Sequence, residues 1–165
     1  MKRQMIYLSA CAILIAGCAN IQINAFGKTI TRRQVENKYP HSFVCLADKA
    51  YVMPSKEWVD GCIKSYCRKY ALSFVFKWSK RWDCDNRARH MSSYIREMFA
   101  QECPDTIEPD GVAVFVRFYH QDKDGNGHAV ITMIIDNKVM DYDAVHFEWL
   151  NLSRKENALS WYVGD

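Results

Sequence analysis

The sequence predicts an α+β domain in which helices come first and an antiparallel sheet follows. Three observations lead there. Two stretches, at 56–71 and 83–101, repeat their apolar residues at three and four positions. From Val112 the period changes to two, over VAVFVRFY and then HAVITMII. Short turn-rich segments, Gly125-Asn126-Gly127 and Asp136-Asn137, bound the alternating runs and make them hairpin partners.

The chain begins with a positively charged segment, Lys2 and Arg3, followed by the 13 residues Met5 to Gly17, which are mostly apolar. A membrane-spanning helix needs roughly 20 residues, so this length fits the apolar region of a secretory signal. The segment ends in Ile15-Ala16-Gly17-Cys18, which looks like the lipobox of a bacterial lipoprotein. The expected organisation is a leader over 1–17, a lipidated tether over 18–40 starting at Cys18, and a folded domain over 41–165. The expected location is the cell envelope, with lipid on Cys18 holding the protein to a membrane. Ala19 after the lipid site implies the outer membrane, facing the periplasm.

The full-chain charge is +3, and removing Lys2 and Arg3 with the leader leaves +1. Such a balance implies no polyanionic partner, and no nucleic acid is expected despite the basic, aromatic run Lys77 to Trp82. No cofactor is expected. Asp122-Lys123-Asp124-Gly125-Asn126-Gly127 opens like a calcium loop, but its twelfth position is Met133 where a bidentate Glu belongs. With no C-x-x-C pattern either, no metal is expected.

Each element has its own warrant. Ser55 reads as the N-cap of the first helix, whose core face carries Val59, Cys62, Ile63, Tyr66 and Tyr70. The second helix starts near Asp83, carries Ala88, Met91, Ile95, Met98 and Phe99, and stops at Cys103-Pro104. Its stripe, extended back by four from Ala88, reaches Cys84 in the first turn. Three strands follow, at 112–119, 128–135 and 138–145. Phe147, Trp149, Leu150, Trp161 and Tyr162 point to further packed structure in the tail.

Cysteines single out one residue. Beyond Cys11 in the leader and Cys18 at the lipid site, five remain: Cys45, Cys62, Cys67, Cys84 and Cys103. In an oxidising compartment thiols pair, and an odd set leaves at least one free. The pairing among Cys45, Cys62, Cys67 and Cys103 is open. Cys84 alone has a helix N-terminus, where unpaired N–H groups favour a thiolate. A nucleophilic thiol also needs an imidazole and an orienting acid. His128 opens a strand. If Asp136-Asn137 is the turn, Val130 faces Asp143, which puts Asp143 diagonal to His128 at roughly 7 Å between β-carbons. Asp141 shares the face but lies near 13 Å at about 3.3 Å per residue. Geometry therefore favours Asp143.

Cys at a helix start, His-Ala opening a strand, and Asp fifteen residues later on the next strand resemble the transglutaminase-like superfamily. The likeness covers about Trp78 to Val145, and Asp85 after the cysteine is like its bacterial cysteine-peptidase branch. The pattern departs at Val130, where the family has an aromatic residue, and at Asp83, where it has glycine. The resemblance implies a papain/transglutaminase-like core, with the nucleophile helix packed on an antiparallel β-sheet. It implies Cys84 as nucleophile, His128 as base and then acid, and Asp143 as orienter, with Trp82 as a candidate oxyanion donor. The implied activity is a thiol hydrolase or acyltransferase acting on amide bonds of a periplasmic protein or peptide. Two alternatives stand beside it: a peptidoglycan-cleaving amidase or endopeptidase of the CHAP or NlpC/P60 kind, and an inactive lipoprotein that binds a partner.

Overall fold

The structure, a computed structural model, describes residues 25–70, 79, 83–109 and 111–165. The leader, Cys18, Trp78 and Trp82 lie outside the described residues. In chain order the elements are β1 (Lys28–Thr31), α1 (Arg32–Glu36), β2 (Phe43–Cys45), β3 (Ala50–Met53), α2 (Lys56–Tyr70), α3 (Cys84–Glu102), β4 (Gly111–Val112), β5 (Val114–His120), β6 (Gly127–Ile135), β7 (Lys138–Asp143), β8 (Glu148–Leu150), α4 (Arg154–Ala158) and β9 (Ser160–Gly164).

Local chemistry sets the helix starts. Thr31 and Gln34 form a capping box at α1. The Ser55 hydroxyl accepts from the Trp58 amide at 3.2 Å, capping α2 as its sequence predicts. The apolar stripe of α3 buries Ala88, Met91, Ile95 and Phe99.

The strands form two sheets. The larger runs β2-β9-β5-β6-β7-β8, and the smaller runs β1-β3-β4. The chain passes from the small sheet to the large one at Ala113, between β4 and β5. One face of the large sheet packs Val114, Val116, Ile131 and Met133 against α2 and α3. The other face packs Phe115, Ile134 and Val163 against Ile30, Val35, Tyr39 and Tyr51 from the small sheet and the segment around α1. The large sheet is thus the middle of three layers. Burial on both faces explains why β6 is buried from His128 to Ile135 and carries only His128 and Thr132 as polar side chains there.

Three expectations are corrected here. Helices do not come first: β1, β2 and β3 precede α2. The sheet is mixed, because β2 pairs in parallel with β9 while its other pairings are antiparallel. The segment from Ala25 to Pro40, read as tether, belongs to the body, with Phe26, Ile30, Val35 and Tyr39 buried. That segment spaces its apolar residues singly among polar ones, so it carries no periodic signal. The tail forms β9, which lies between β2 and β5 and joins the two ends of the fold.

The face covered by the small sheet also holds a buried ion pair. Arg117 Nη1 donates to Asp141 at 3.2 Å, with the two side chains 3% and 7% exposed. Arg117 Nε donates to Ser160 at 3.0 Å, and Nη2 to the Asn157 side chain at 2.8 Å. The Tyr39 ring lies 5.5 Å from the guanidinium. Burial pushes the Asp141 carboxyl up, against the pull of Arg117. Removing one partner strands the other charge in the core. Asp141→Ala is expected to lower unfolding stability by roughly 3–5 kcal/mol in urea titrations. A loss below about 1 kcal/mol would place the pair in the range of exposed salt bridges.

Candidate functional site

Cys84 is the first residue of α3, after the extended N-cap Asp83. His128 is the second residue of β6, and Asp143 ends β7. The β6–β7 register runs from Ile135↔Lys138 to Ile131↔Tyr142, which is the pairing expected for an Asp136-Asn137 turn. The helix and the hairpin bring the three residues together. His128 Nε2 donates to Asp143 Oδ2 at 3.0 Å, and Cys84 hydrogen-bonds to the same imidazole.

The surroundings hold this arrangement in place. Asp143 Oδ1 accepts the amides of Val145 and His146 at 2.6 and 3.1 Å, a turn in which the side chain replaces a backbone acceptor. His146 Nδ1 donates to Asp143 Oδ2 at 2.8 Å. Burial acts to raise the carboxyl, yet His128, His146 and the two amides hold it well below the usual carboxylate range. Burial likewise opposes charge on His128. The bonds to Asp143 and Cys84 outweigh it and push the imidazole up to about 9. The Tyr119 ring, 5.8 Å from His128 and edge-on, walls one side.

His146 reads as ordinary in the sequence, because no cysteine pattern includes it. Its spacing of three from Asp143 is the feature that places it on the same carboxylate. Among the described residues no cluster of histidine, cysteine and acidic side chains is arranged to hold a metal ion. The acidic loop uses its carboxylates locally: Asp122 pairs with Lys155, and Asp124 accepts the Asn126 amide at 2.9 Å.

The expected cysteine pairing is corrected: Cys45, Cys62, Cys67, Cys84 and Cys103 are all free thiols. Burial pushes Cys62 up to about 12 and raises Cys67 and Cys103. Three of the five are therefore poor nucleophiles.

Beside this cluster the sheet carries an aromatic cleft, of which the sequence offers only Trp161 and Tyr162, read there as packed tail. Phe43 on β2 faces Tyr162 on β9, and Tyr162 faces Phe118 on β5. Three aromatic rings thus lie in a row across adjacent strands. The register slips between Phe118 and Tyr119, where Tyr119 pairs with Ser160. This irregularity lets Trp161, odd in the alternation, join the row, 5.9 Å from Phe118. Arg89 of α3 closes the end, its guanidinium 5.6 Å from the Phe118 ring. The cleft holds about 270 Å³. Phe43 is 70% exposed and Trp161 42% exposed, and both are among the few large apolar side chains left in water. Trp161 also reaches over Gly127, where a β-carbon would stand 3.4 Å from its ring, so the cleft borders the strand end bearing His128.

No protein-family model and no curated protein matches the chain. Solved structures do. A PSL1a–E64 complex is similar at a TM-score of 0.64 and 11% identity, over 83% of this chain and 50% of that one. Polyporus squamosus lectin, bound to the human-type influenza-binding epitope Neu5Aca2-6Galb1-4GlcNAc, is similar at a TM-score of 0.61 and 11% identity, over 83% of this chain and 49% of that one. The chain spans about half the length of each. At this identity the likeness is one of fold.

These findings correct the family reading. The fold is shared with the PSL1a–E64 complex and with Polyporus squamosus lectin, so a place in the transglutaminase-like superfamily and its papain-like core is withdrawn. The expected hydrolase or acyltransferase activity on a protein or peptide rested on that family and is withdrawn with it.

The imidazole gives this cluster a testable signature. Its value of about 9 lies above its ordinary 6.5. Its contribution to stability is therefore complete below pH 6.5 and lost as pH rises through 9. Asp143 is depressed, so its contribution is present above its ordinary 3.8 and lost as pH falls from there. NMR titration of the His128 ring is expected to show a midpoint near 9, displaced downward by Asp143→Asn and by Cys84→Ala. A midpoint at 6.5 in the unaltered protein would show that the two contacts do not hold in solution.

Proposed function

We propose that the protein binds glycans, with the ligand lying across Phe43, Tyr162, Phe118 and Trp161. The observation that carries this reading is the row of rings on β2, β9 and β5, exposed at Phe43 and Trp161 and half-buried at Tyr162 and Phe118. Sugar rings present flat C–H faces that stack on aromatic side chains, while the neighbouring guanidinium of Arg89 can bond ring hydroxyls. An exposed apolar patch with a polar rim is the usual sign of a binding surface. The lectin folds on which half-length similarity was found support the same class of ligand. The lipobox ending at Cys18 supports an envelope-anchored form, lipid-bound and facing the periplasm.

A glycan array probed with the full chain is expected to yield saccharide ligands. Phe43→Ala and Trp161→Ala should each weaken them about tenfold or more, as anchoring aromatics do. Because Phe43 is 70% exposed, its loss leaves the core intact and reads on binding alone. Absence of any saccharide binding at millimolar concentration would end this reading.

A second reading concerns Cys84, and the hydrogen-bonded run Cys84–His128–Asp143 favours it. We propose that Cys84 is a nucleophile toward an electrophilic ligand. In that role His128 already holds the thiol's proton as an imidazolium steadied by Asp143; the sulfur bonds to the electrophilic carbon, the bond from that carbon to its leaving atom breaks, and His128 passes the proton to the released atom. One structural neighbour is a complex with E64, which supplies the probe. Intact-mass analysis after exposure to E64 is expected to show one adduct, mapped to Cys84 and slowed by His128→Ala. An adduct spread over Cys45 and Cys103, or none at all, would remove Cys84 from this role.

A further inference from the structure

Arg117 and Phe118 are adjacent on β5, so their side chains leave opposite faces of the sheet. Phe118 enters the aromatic cleft. Arg117 leads to a different cavity, of about 390 Å³, lined by Lys38, His41, Arg117, Arg154 and Asn157 together with Pro40 and Ala158. We propose that this cavity binds a compact organic anion, a small molecule bearing a carboxylate or a phosphate.

The charge balance of the lining carries the argument. Asp141 neutralises Arg117, and Lys38 and Arg154 remain as excess positive charge. Arg154 makes no ion pair among the described residues. Lys38 uses one bond on the Asn137 carbonyl, at 2.6 Å, leaving further donors on its ammonium. Among the described residues no acidic side chain lines the cavity.

The cavity floor is rigid. Arg117 is 2% exposed and bonded to Asp141, Ser160 and Asn157. Its fixed guanidinium has five N–H donors, and Nε, Nη1 and Nη2 engage four acceptors. One donor remains for a ligand. Asn157 is itself oriented, because its Nδ2 donates to the carbonyls of Leu152 and Ser153, both at 3.0 Å. Its oxygen is thereby turned to Arg117. A guanidinium held in place before a ligand arrives loses little freedom on binding.

Size sets the ligand class. The volume falls within the roughly 300–1,000 Å³ of small-molecule sites, and it exceeds what a bare inorganic anion fills. A sugar-sized body with one anionic group fits both the volume and the charge.

Calorimetric titration of the full chain in detergent, with glucuronate, glucose 6-phosphate, inorganic phosphate and glucose, tests this. Binding of glucuronate or glucose 6-phosphate is expected, with glucose at least tenfold weaker, and the stronger of the two identifies the anionic group. Arg154→Ala should weaken that binding at least tenfold and Arg154→Lys should retain most of it, while Trp161→Ala leaves it unchanged. Several results would overturn the proposal: no binding of either sugar anion, equal binding of glucose, binding of inorganic phosphate alone, or an affinity unaltered in Arg154→Ala. Loss in Trp161→Ala would also overturn it, by moving the anion to the aromatic cleft. Because the cavity and the cleft lie on opposite faces, failure at one leaves the other standing.

Discussion

Asp136 and Asn137 both sit at positive φ, 48° and 64°, which only a few residue types accept readily. That pair of conformations makes the tight turn whose twist matches the strands on either side. Through it the register of β6 against β7 is set, and the register determines where two acids go. Asp141 lands opposite Thr132, in reach of Arg117. Asp143 lands at the strand end, in reach of His128. A slip of one residue would turn each side chain to the other face. It would leave Arg117 unpaired in the core and carry Asp143 away from the imidazole. Both polar centres therefore depend on two turn residues that touch neither.

The parts of the fold governed by local periodicity were legible. The stripe through Val59, Cys62, Ile63 and Tyr66 gave α2, and the stripe from Ala88 to Phe99 gave α3. Period-two alternation and turn chemistry gave the β5–β6–β7 meander with its register. The convergence of Cys84, His128 and Asp143 followed from those elements. Long-range pairing was not legible. β2 is three residues long, and its parallel partner β9 is over 100 positions away, so nothing in either segment names the other. The same holds for β1, whose Ile30 is a single buried residue in an otherwise exposed strand.

The family resemblance failed for a related reason. It rested on Trp78 to Val145, a helix and a hairpin, which many folds assemble. What distinguishes this chain lies outside that window: β1 and β3 of the small sheet over the second face, and β9 between β2 and β5. The aromatic cleft depends on the latter. Phe43, Tyr162 and Phe118 share no sequence neighbourhood, and only the strand order β2-β9-β5 aligns them.

The central sheet separates two kinds of recognition by its own alternation. On β5, Phe118 serves the side packed by α2 and α3, beside the exposed rings of Phe43 and Trp161. Arg117 serves the side closed by α1 and the small sheet, where a cation needs a fixed carboxylate to be buried at all. The slip in register at Trp161 sharpens this division, since it moves one more ring to the aromatic side without disturbing Ser160, which bonds to Arg117 on the other. Adjacent residues of a single strand thus present an apolar face and a charged one to different solvent spaces. The strand that permits it is β9, because Ser160 and Tyr162, two residues apart, contribute to the charged side and the aromatic side respectively. Regular alternation would have put both on one face; the bulge between them is what allows one short strand to supply both.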